Sequence, residues 1–281
     1  MTITVIPLNP HIGAEIRGVD LTKPVDEATA KQLYQLWLEH LVLLFRGQEL
    51  TQEAFVRATG AFGTLARLAR PAEFRPPGYA RLLDNIMLIS NIRENGVPIG
   101  ALPDGEMSFH HDMMHVELPH KGTCLYSVEV PSHGGNTLFA NCYRAYETMP
   151  RDLRDKLENR RAFHSYYLGE MKRGDGRGVA HKKEAAHPVF RTHEDTGRKA
   201  VYVNRLMTER IEGMDPVEGR KLLEAVFDHS ENPEWTYEHV WRPHDMLLWD
   251  NRCSMHARTD FPEGERRLML RTTIEGEVRP V

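Results

Sequence analysis

The chain has 281 residues, with 36 Lys and Arg against 40 Asp and Glu, a formal net charge of −4, fifteen histidines and three cysteines. At 41% hydrophobic and 27% charged it reads as a folded globular protein with enough length for a sizeable core, and its mild acidity argues against general nucleic-acid binding. Cys124, Cys142 and Cys253 are too few and too scattered for a disulfide framework or a CxxC zinc site; the chain is expected in a reducing cytoplasm, and any metal site in it should be built from imidazole and carboxylate.

The opening MTITVIPLNP lacks a basic segment followed by a long apolar one, so no signal peptide is expected. No run of about 18 apolar residues suggests a membrane span. Residues 2–6 read as a short strand stopped by Pro7. Leu33, Leu36, Trp37 and His40 fall at helical spacing within 26–40. Residues 41–45 form a compact apolar run, a buried strand ended by Gly47. Thr51 can cap a second helix to about residue 62. Pro71, Pro76, Pro77 and Gly78 make 67–84 a loop. Beyond it strand-like pieces recur at 86–90, 123–130, 137–140, 162–167, 200–203, 236–241, 246–249 and 268–274, with turn signals such as Gly134-Gly135 between many of them. Two helices interrupt, one over 150–159 and one opened by Asp215 as cap with Pro216 in first position. The Gly-rich, basic stretch 172–183 reads as an exposed loop. Many short strands with turn punctuation give a mainly β chain with helical decoration, a sandwich or jelly roll. With no repeat and no linker in view, residues 1–281 are expected to form a single domain.

The densest chemistry lies in Ser108-Phe-His-His-Asp-Met-Met-His115. On a strand, residues i and i+2 share a face, so His110 and Asp112 would present an imidazole and a carboxylate to one cavity with His111 turned away. On a helix, His111 and His115 would share a face around Asp112, an imperfect echo of the zinc-protease motif, which carries Glu. Met107, Phe109, Met114, Val116 and Leu118 alternate with polar neighbours and Pro119 follows, which favours the strand. Two histidines and one carboxylate on one face of a metal are the ligand set of non-haem iron oxygenases, and the third ligand usually comes from a distant strand. His256, after an apolar run and a polar turn, can supply it at the start of a returning strand. Arg267 and Arg271, four apart on a strand, share a face, and a guanidinium fork suits a carboxylate.

Phe109-His110-His111-Asp112, Gly134-Gly135-Asn136-Thr137, Trp249-Asp250-Asn251-Arg252 with His256, and Arg266-Arg267 with Arg271 together resemble the Fe(II)/2-oxoglutarate-dependent dioxygenases of the taurine dioxygenase and 2,4-D dioxygenase (TauD/TfdA) group. The likeness extends to His187-Pro188, Val201-Tyr202-Val203-Asn204 and Gly13-Ala14-Glu15, nearly end to end. It implies a double-stranded β-helix, or jelly roll, with the metal between its sheets. It further implies Fe(II) on His110, Asp112 and His256, the distal carboxylate of 2-oxoglutarate on Arg267 with help from Thr137, and Arg271 near the reacting centre. The reaction it implies converts 2-oxoglutarate and O2 to succinate and CO2 while hydroxylating a small, anionic organic substrate such as an aryloxyalkanoate, a sulfonate or a similar carboxylate. A homo-oligomer, dimer or tetramer, is expected, with neither nucleic acid nor membrane as partner.

Two positions depart from the group. Phe109 stands where relatives often carry Trp, and Glu106 stands where taurine users carry an amide, which would make a sulfonate less welcome. Met113, Met114 and His115 could shape the pocket or simply continue the strand. A zinc hydrolase using His111, Asp112 and His115, and a non-catalytic jelly-roll binding protein, are the competing readings. Neither gives the Arg267/Arg271 pair a role in a complete ligand set.

Overall fold

The computed structural model describes residues 2–68, 77–100, 102, 105–168 and 181–281. Two sheets pack face to face. The larger runs in the order Thr4–Pro7, Ala14–Arg17, Val42–Phe45, Met246–Asp250, Gly122–Glu129, Leu268–Ile274, Met87–Ser90; the smaller runs Thr236–His239, Thr137–Asn141, Ser254–Arg258, Met107–His110. Pairing is antiparallel throughout both except where Ala14–Arg17 joins Val42–Phe45. This is the jelly roll the sequence suggested.

Side-chain alternation sorts the apolar residues into two cores. In Met246–Asp250 every residue is buried. Leu247 and Trp249 face the space between the sheets, beside Phe139, Met255 and Met269. Met246 and Leu248 face the opposite way, with Leu43, Phe45, Cys124 and Leu270. That outer layer is closed by helices Glu27–His40 and Gln52–Gly60, which contribute Leu33, Trp37 and Phe55. A strand covered on both faces shows a continuous apolar run rather than alternation, which is why 246–249 and 41–45 were legible.

Helix starts follow their caps. Asp26 accepts from the Thr29 N–H at 2.7 Å, Thr51 from Ala54, and Asp215 from Val217 and Glu218 ahead of Pro216–Ser230. Pro7 ends the first strand from within it, tolerated because that strand lies at the sheet edge. Part of the expected loop 67–84 lies outside the described residues, and its end forms the 3-10 turn Pro77–Arg81. Most of 172–183 also lies outside them, but residues 181–183 are not loop: they open the strand His181–Pro188, paired residue by residue with Arg161–Leu168. Its charged sequence carries no apolar alternation to betray it. The helix Cys142–Thr148 was missed as well, although Asn141 caps it through two backbone N–H groups.

A buried ionic cluster ties the turn after Met246–Asp250 to the first helix and the 191–196 segment. The Arg252 guanidinium binds Asp250 at 2.6 Å and Asp195 at 2.6 Å, and reaches Glu194 at 3.1 Å. It lies 5.3 Å from the Trp37 ring, and Tyr34 donates to Asp195. Removing one member of a buried pair strands the other charge. Arg252→Ala is therefore expected to cost about 3–5 kcal/mol of stability, read as a lower midpoint in chemical denaturation.

Candidate active site

The strand Met107–His110 pairs with Ser254–Arg258 so that His110 and His256 are direct cross-strand partners. Their rings sit 4.1 Å apart. The strand ends at His110, and Asp112, two residues on, lies beside it at the head of a turn whose next residue, Met113, is left-handed (φ 58°). The expected sharing of a side by His110 and Asp112, with His111 turned away, is met just where the strand ends. The Asp112 carboxylate lies 4.0 Å from Nε2 of each histidine, and one donor atom from each of the three lies within 4.8 Å of the others. His256 is in the middle of its strand, not at its start.

The donor set fits a metal that prefers nitrogen and carboxylate oxygen. Ser108 carbonyl accepts from His110 Nδ1 at 2.9 Å, which leaves the Nε2 lone pair facing Asp112. Burial holds both imidazoles below their ordinary pKa, so both are neutral near pH 7. Burial pushes the Asp112 carboxyl up, but Arg271, His256, His110 and the Thr123 hydroxyl outweigh it and keep the group ionised, well below the usual range. Arg271 Nη2 stands 2.6 Å from Asp112 Oδ1, and Thr123 donates to Oδ2 at 2.7 Å.

Thr123 is the first link of a relay that sequence reasoning did not find. Trp249 Nε1 donates to Asn251 Oδ1 at 3.1 Å, Asn251 Nδ2 donates to Thr123 at 3.0 Å, and Thr123 donates to Asp112. The Trp249 ring is also 4.7 Å from His256. One chain of donors thus orients one member of the triad and packs against another. The Trp249 to Arg252 motif was the available signal.

Beside the triad lies a second, cationic end. Arg267 is 2% exposed, its Nε and Nη1 have no hydrogen-bond partner among the described residues, and burial, with Arg258 beside it, lowers its pKa to about 9. Its backbone N–H is fixed by Asn91 Oδ1. The Gly134-Gly135 turn passes over it. A Cβ on Gly134 would meet the Asp260 carbonyl at 2.4 Å, and one on Gly135 would come 3.5 Å from Arg267 Nε. Thr137, 4% exposed, opens the next strand and accepts from Trp241 Nε1 at 3.0 Å. Arg267, Met269 and Arg271 alternate with Leu268 and Leu270, so both guanidiniums come from the inter-sheet face, as expected. Arg271 retains 19% side-chain exposure.

The zinc arrangement does not form among the described residues. His111 turns away, packing 4.7 Å from Tyr202 with Asn204 and Cys142 around it, and His115 stacks on Tyr166. Met114 is buried with Tyr202 and Met207, so it packs. Glu106 is exposed. A second group, His193, Asp250 and Cys253, could also converge on a metal. Its carboxylate is already held by Arg252 and His193, and burial keeps the Cys253 thiol protonated.

A jelly roll that gathers two neutral imidazoles, one carboxylate and an unpaired buried guanidinium defines a non-haem metal oxygenase fold. The model of the family described as "Taurine catabolism dioxygenase TauD, TfdA family" matches residues 4–273, and the chain belongs to that family. It is 30% identical over 285 residues to an (S)-phenoxypropionate/alpha-ketoglutarate-dioxygenase of Sphingobium herbicidovorans, covering 97% of this chain and 95% of that one. It is 33% identical over 294 residues to a pentalenolactone F synthase of Streptomyces avermitilis, covering 96% and 92%. The solved structure of AAD-2 in complex with Mn(II) and N-oxalylglycine superposes with a TM-score of 0.83 at 27% identity, covering 100% of this chain and 99% of that one.

Buried histidines also set how stability depends on pH. Burial pushes His111 down to about 3 and His187 down to about 4 from an ordinary 6.5. Both stay neutral in the fold while the unfolded chain takes up their protons. The metal-free protein is therefore fully stable with respect to these groups above about pH 6.5 and loses stability as pH falls toward 4, by about 1.4 kcal/mol per pH unit for each. Denaturation midpoints across this range should show the slope, and His187→Gln should remove one proton from it.

Proposed function

We propose that this chain hydroxylates a small anionic organic molecule, with His110, Asp112 and His256 holding Fe(II), Arg267 and Thr137 holding the distal carboxylate of 2-oxoglutarate, and Arg271 receiving the anionic group of the primary substrate. The family is one of Fe(II)- and 2-oxoglutarate-dependent dioxygenases, oxidoreductases that also consume O2. The observation that carries the residue roles is the convergence of the three donor atoms within 4.8 Å beside a buried arginine with unpartnered N–H groups.

2-Oxoglutarate is a dianion. One end can chelate a metal through its carboxylate and keto oxygen; the other needs a cation and a hydroxyl donor at fixed distance. Arg267 meets the first need, since an unpaired buried guanidinium is costly without an anion. Thr137 supplies the hydroxyl. When bound, the metal supplies the oxidising chemistry with O2, yielding succinate, CO2 and a hydroxylated product. The chain's own residues hold, orient and exclude. Thr123 and Arg271 fix the carboxylate, Ser108 fixes the tautomer of His110, and Trp249 and Phe139 wall the site with apolar surface. Arg271 differs from Arg267 in keeping some exposure, which suits it to an incoming ligand. The relative named for phenoxypropionate acts on a carboxylate, and an aryloxyalkanoate, a sulfonate or a similar carboxylate is the substrate class we assign. The family match over 4–273 supports one catalytic domain over 1–281. The three buried free thiols agree with the cytoplasm, and a homo-oligomeric state, dimer or tetramer, is part of the same proposal.

Among the described residues no helix is long and apolar enough to cross a membrane. Anaerobic Fe(II) and 2-oxoglutarate should give a weak visible charge-transfer band that His110→Ala abolishes; an intact band overturns the ligand assignment. Arg267→Ala should weaken 2-oxoglutarate binding roughly 30-fold or more, the loss of about 2 kcal/mol or above that follows truncation of a buried charge pair. A succinate-release screen across anionic molecules then identifies the substrate, and Arg271→Leu should raise its KM and, because Arg271 also pairs with Asp112, weaken the 2-oxoglutarate band as well.

A further inference from the structure

We propose that Trp241 is a positioning residue for the co-substrate, its indole N–H fixing the Thr137 hydroxyl as a donor toward the distal carboxylate of 2-oxoglutarate. The inference rests on the reading of Thr137 and Arg267 given above.

An indole N–H can only donate, whereas a threonine hydroxyl has one proton and two lone pairs. The 3.0 Å bond from Trp241 Nε1 to Thr137 Oγ1 therefore occupies a lone pair and leaves the proton for another acceptor. Among the described residues, Trp241 is the partner the structure gives that hydroxyl. A hydroxyl free of this bond could turn its proton to other acceptors, and a carboxylate arriving beside Arg267 would have to compete for it.

The indole is itself held in orientation. Thr137 and His239 are cross-strand partners, and Trp241, two residues past His239, meets the His239 ring edge-on at 4.6 Å and 88°. His239 is fully buried between the Tyr237 hydroxyl, 2.9 Å from Nδ1, and the Asp245 carboxylate, 3.2 Å from Nε2. Asp245 accepts in turn from Arg46 Nη1 at 2.5 Å and from the Arg242 backbone N–H at 3.0 Å. The sequence Arg46, Asp245, His239, Trp241, Thr137 runs from the larger sheet to the cationic end of the site. Each ring in it has a partner that sets its plane.

The test is a 2-oxoglutarate titration of the anaerobic Fe(II) protein, read as the charge-transfer band, alongside melting temperature. Thr137→Val should weaken binding about tenfold and Trp241→Phe about three- to tenfold. In the Thr137→Val background, Trp241→Phe should add no further loss. A Trp241→Phe protein that binds 2-oxoglutarate as tightly as the parent overturns the proposal. So does an equal added loss in both backgrounds, since that is the mark of packing alone. If Thr137→Val itself leaves binding unchanged, the role given to Thr137 fails first and the proposal falls with it; if Thr137→Val weakens binding and Trp241→Phe does not, only the proposal fails. Should Trp241→Phe not fold, benzothienylalanine at position 241 keeps the bicyclic shape and removes only the N–H. It is expected to reproduce the same weakening, and parent-like binding by that protein overturns the proposal.

Discussion

The constraint on which the structure depends is the burial of a charged carboxylate. Asp112 is 4% exposed between two sheets, where an unpaired charge would neutralise rather than stay ionised. It stays ionised chiefly because Arg271 pairs with it and the Thr123 hydroxyl donates to it, with the two imidazoles completing its surroundings. These partners come from four different strands or turns, Met107–His110, Gly122–Glu129, Ser254–Arg258 and Leu268–Ile274. Only non-local pairing can assemble them, and the antiparallel register that makes His110 and His256 cross-strand partners does so. The jelly roll is thus the device that brings a ligand set spread over the chain to one point.

The same sheet face places positive charge where no anion of the described residues answers it. Arg271 is matched by Asp112, but Arg267, nearly all its surface buried, has two guanidinium nitrogens without a partner among the described residues. A fold spends stability on such a group, and the lowered pKa reflects that cost. The asymmetry distinguishes the two guanidiniums of one strand. The sealed guanidinium suits a small co-substrate bound in every turnover, and the partly exposed one suits a variable substrate. Gly134 and Gly135 allow the chain to close over the sealed end without a side chain entering it.

What could be read from the sequence follows a physical rule. Doubly covered strands such as 41–45 and 246–249 announce themselves as apolar runs, and Asp26, Thr51 and Asp215 mark helix starts because their side chains satisfy backbone N–H groups. The triad residues were legible through residue type and spacing, although the strand itself stops at His110 and Asp112 lies just past its end. The left-handed Met113, which no alternation pattern reveals, turns the chain away after Asp112. His181–Pro188 escaped because its pairing with Arg161–Leu168 is satisfied by backbone bonds under charged side chains. Thr123 and Trp241 escaped for a different cause. Each acts through a partner remote in the chain, Asp112 and Thr137, and a hydroxyl or an indole has no spacing signature of its own.

The segment Trp249 to Arg252 shows how dense polar sequence can be stable in a core. The end of the strand and the turn after it divide it between two networks. Trp249 and Asn251 face the triad and pass donors to Thr123 and Asp112. Asp250 and Arg252 face the other way, toward Trp37, His193 and Asp195. Neither pair could be apolar without breaking its network. The register of the strand is thereby fixed at the point where it must turn back to present His256. The ionic cluster beneath the first helix and the donor relay above it act on one backbone, so the rigidity that positions the metal-binding face is supplied from the far side of the sheet.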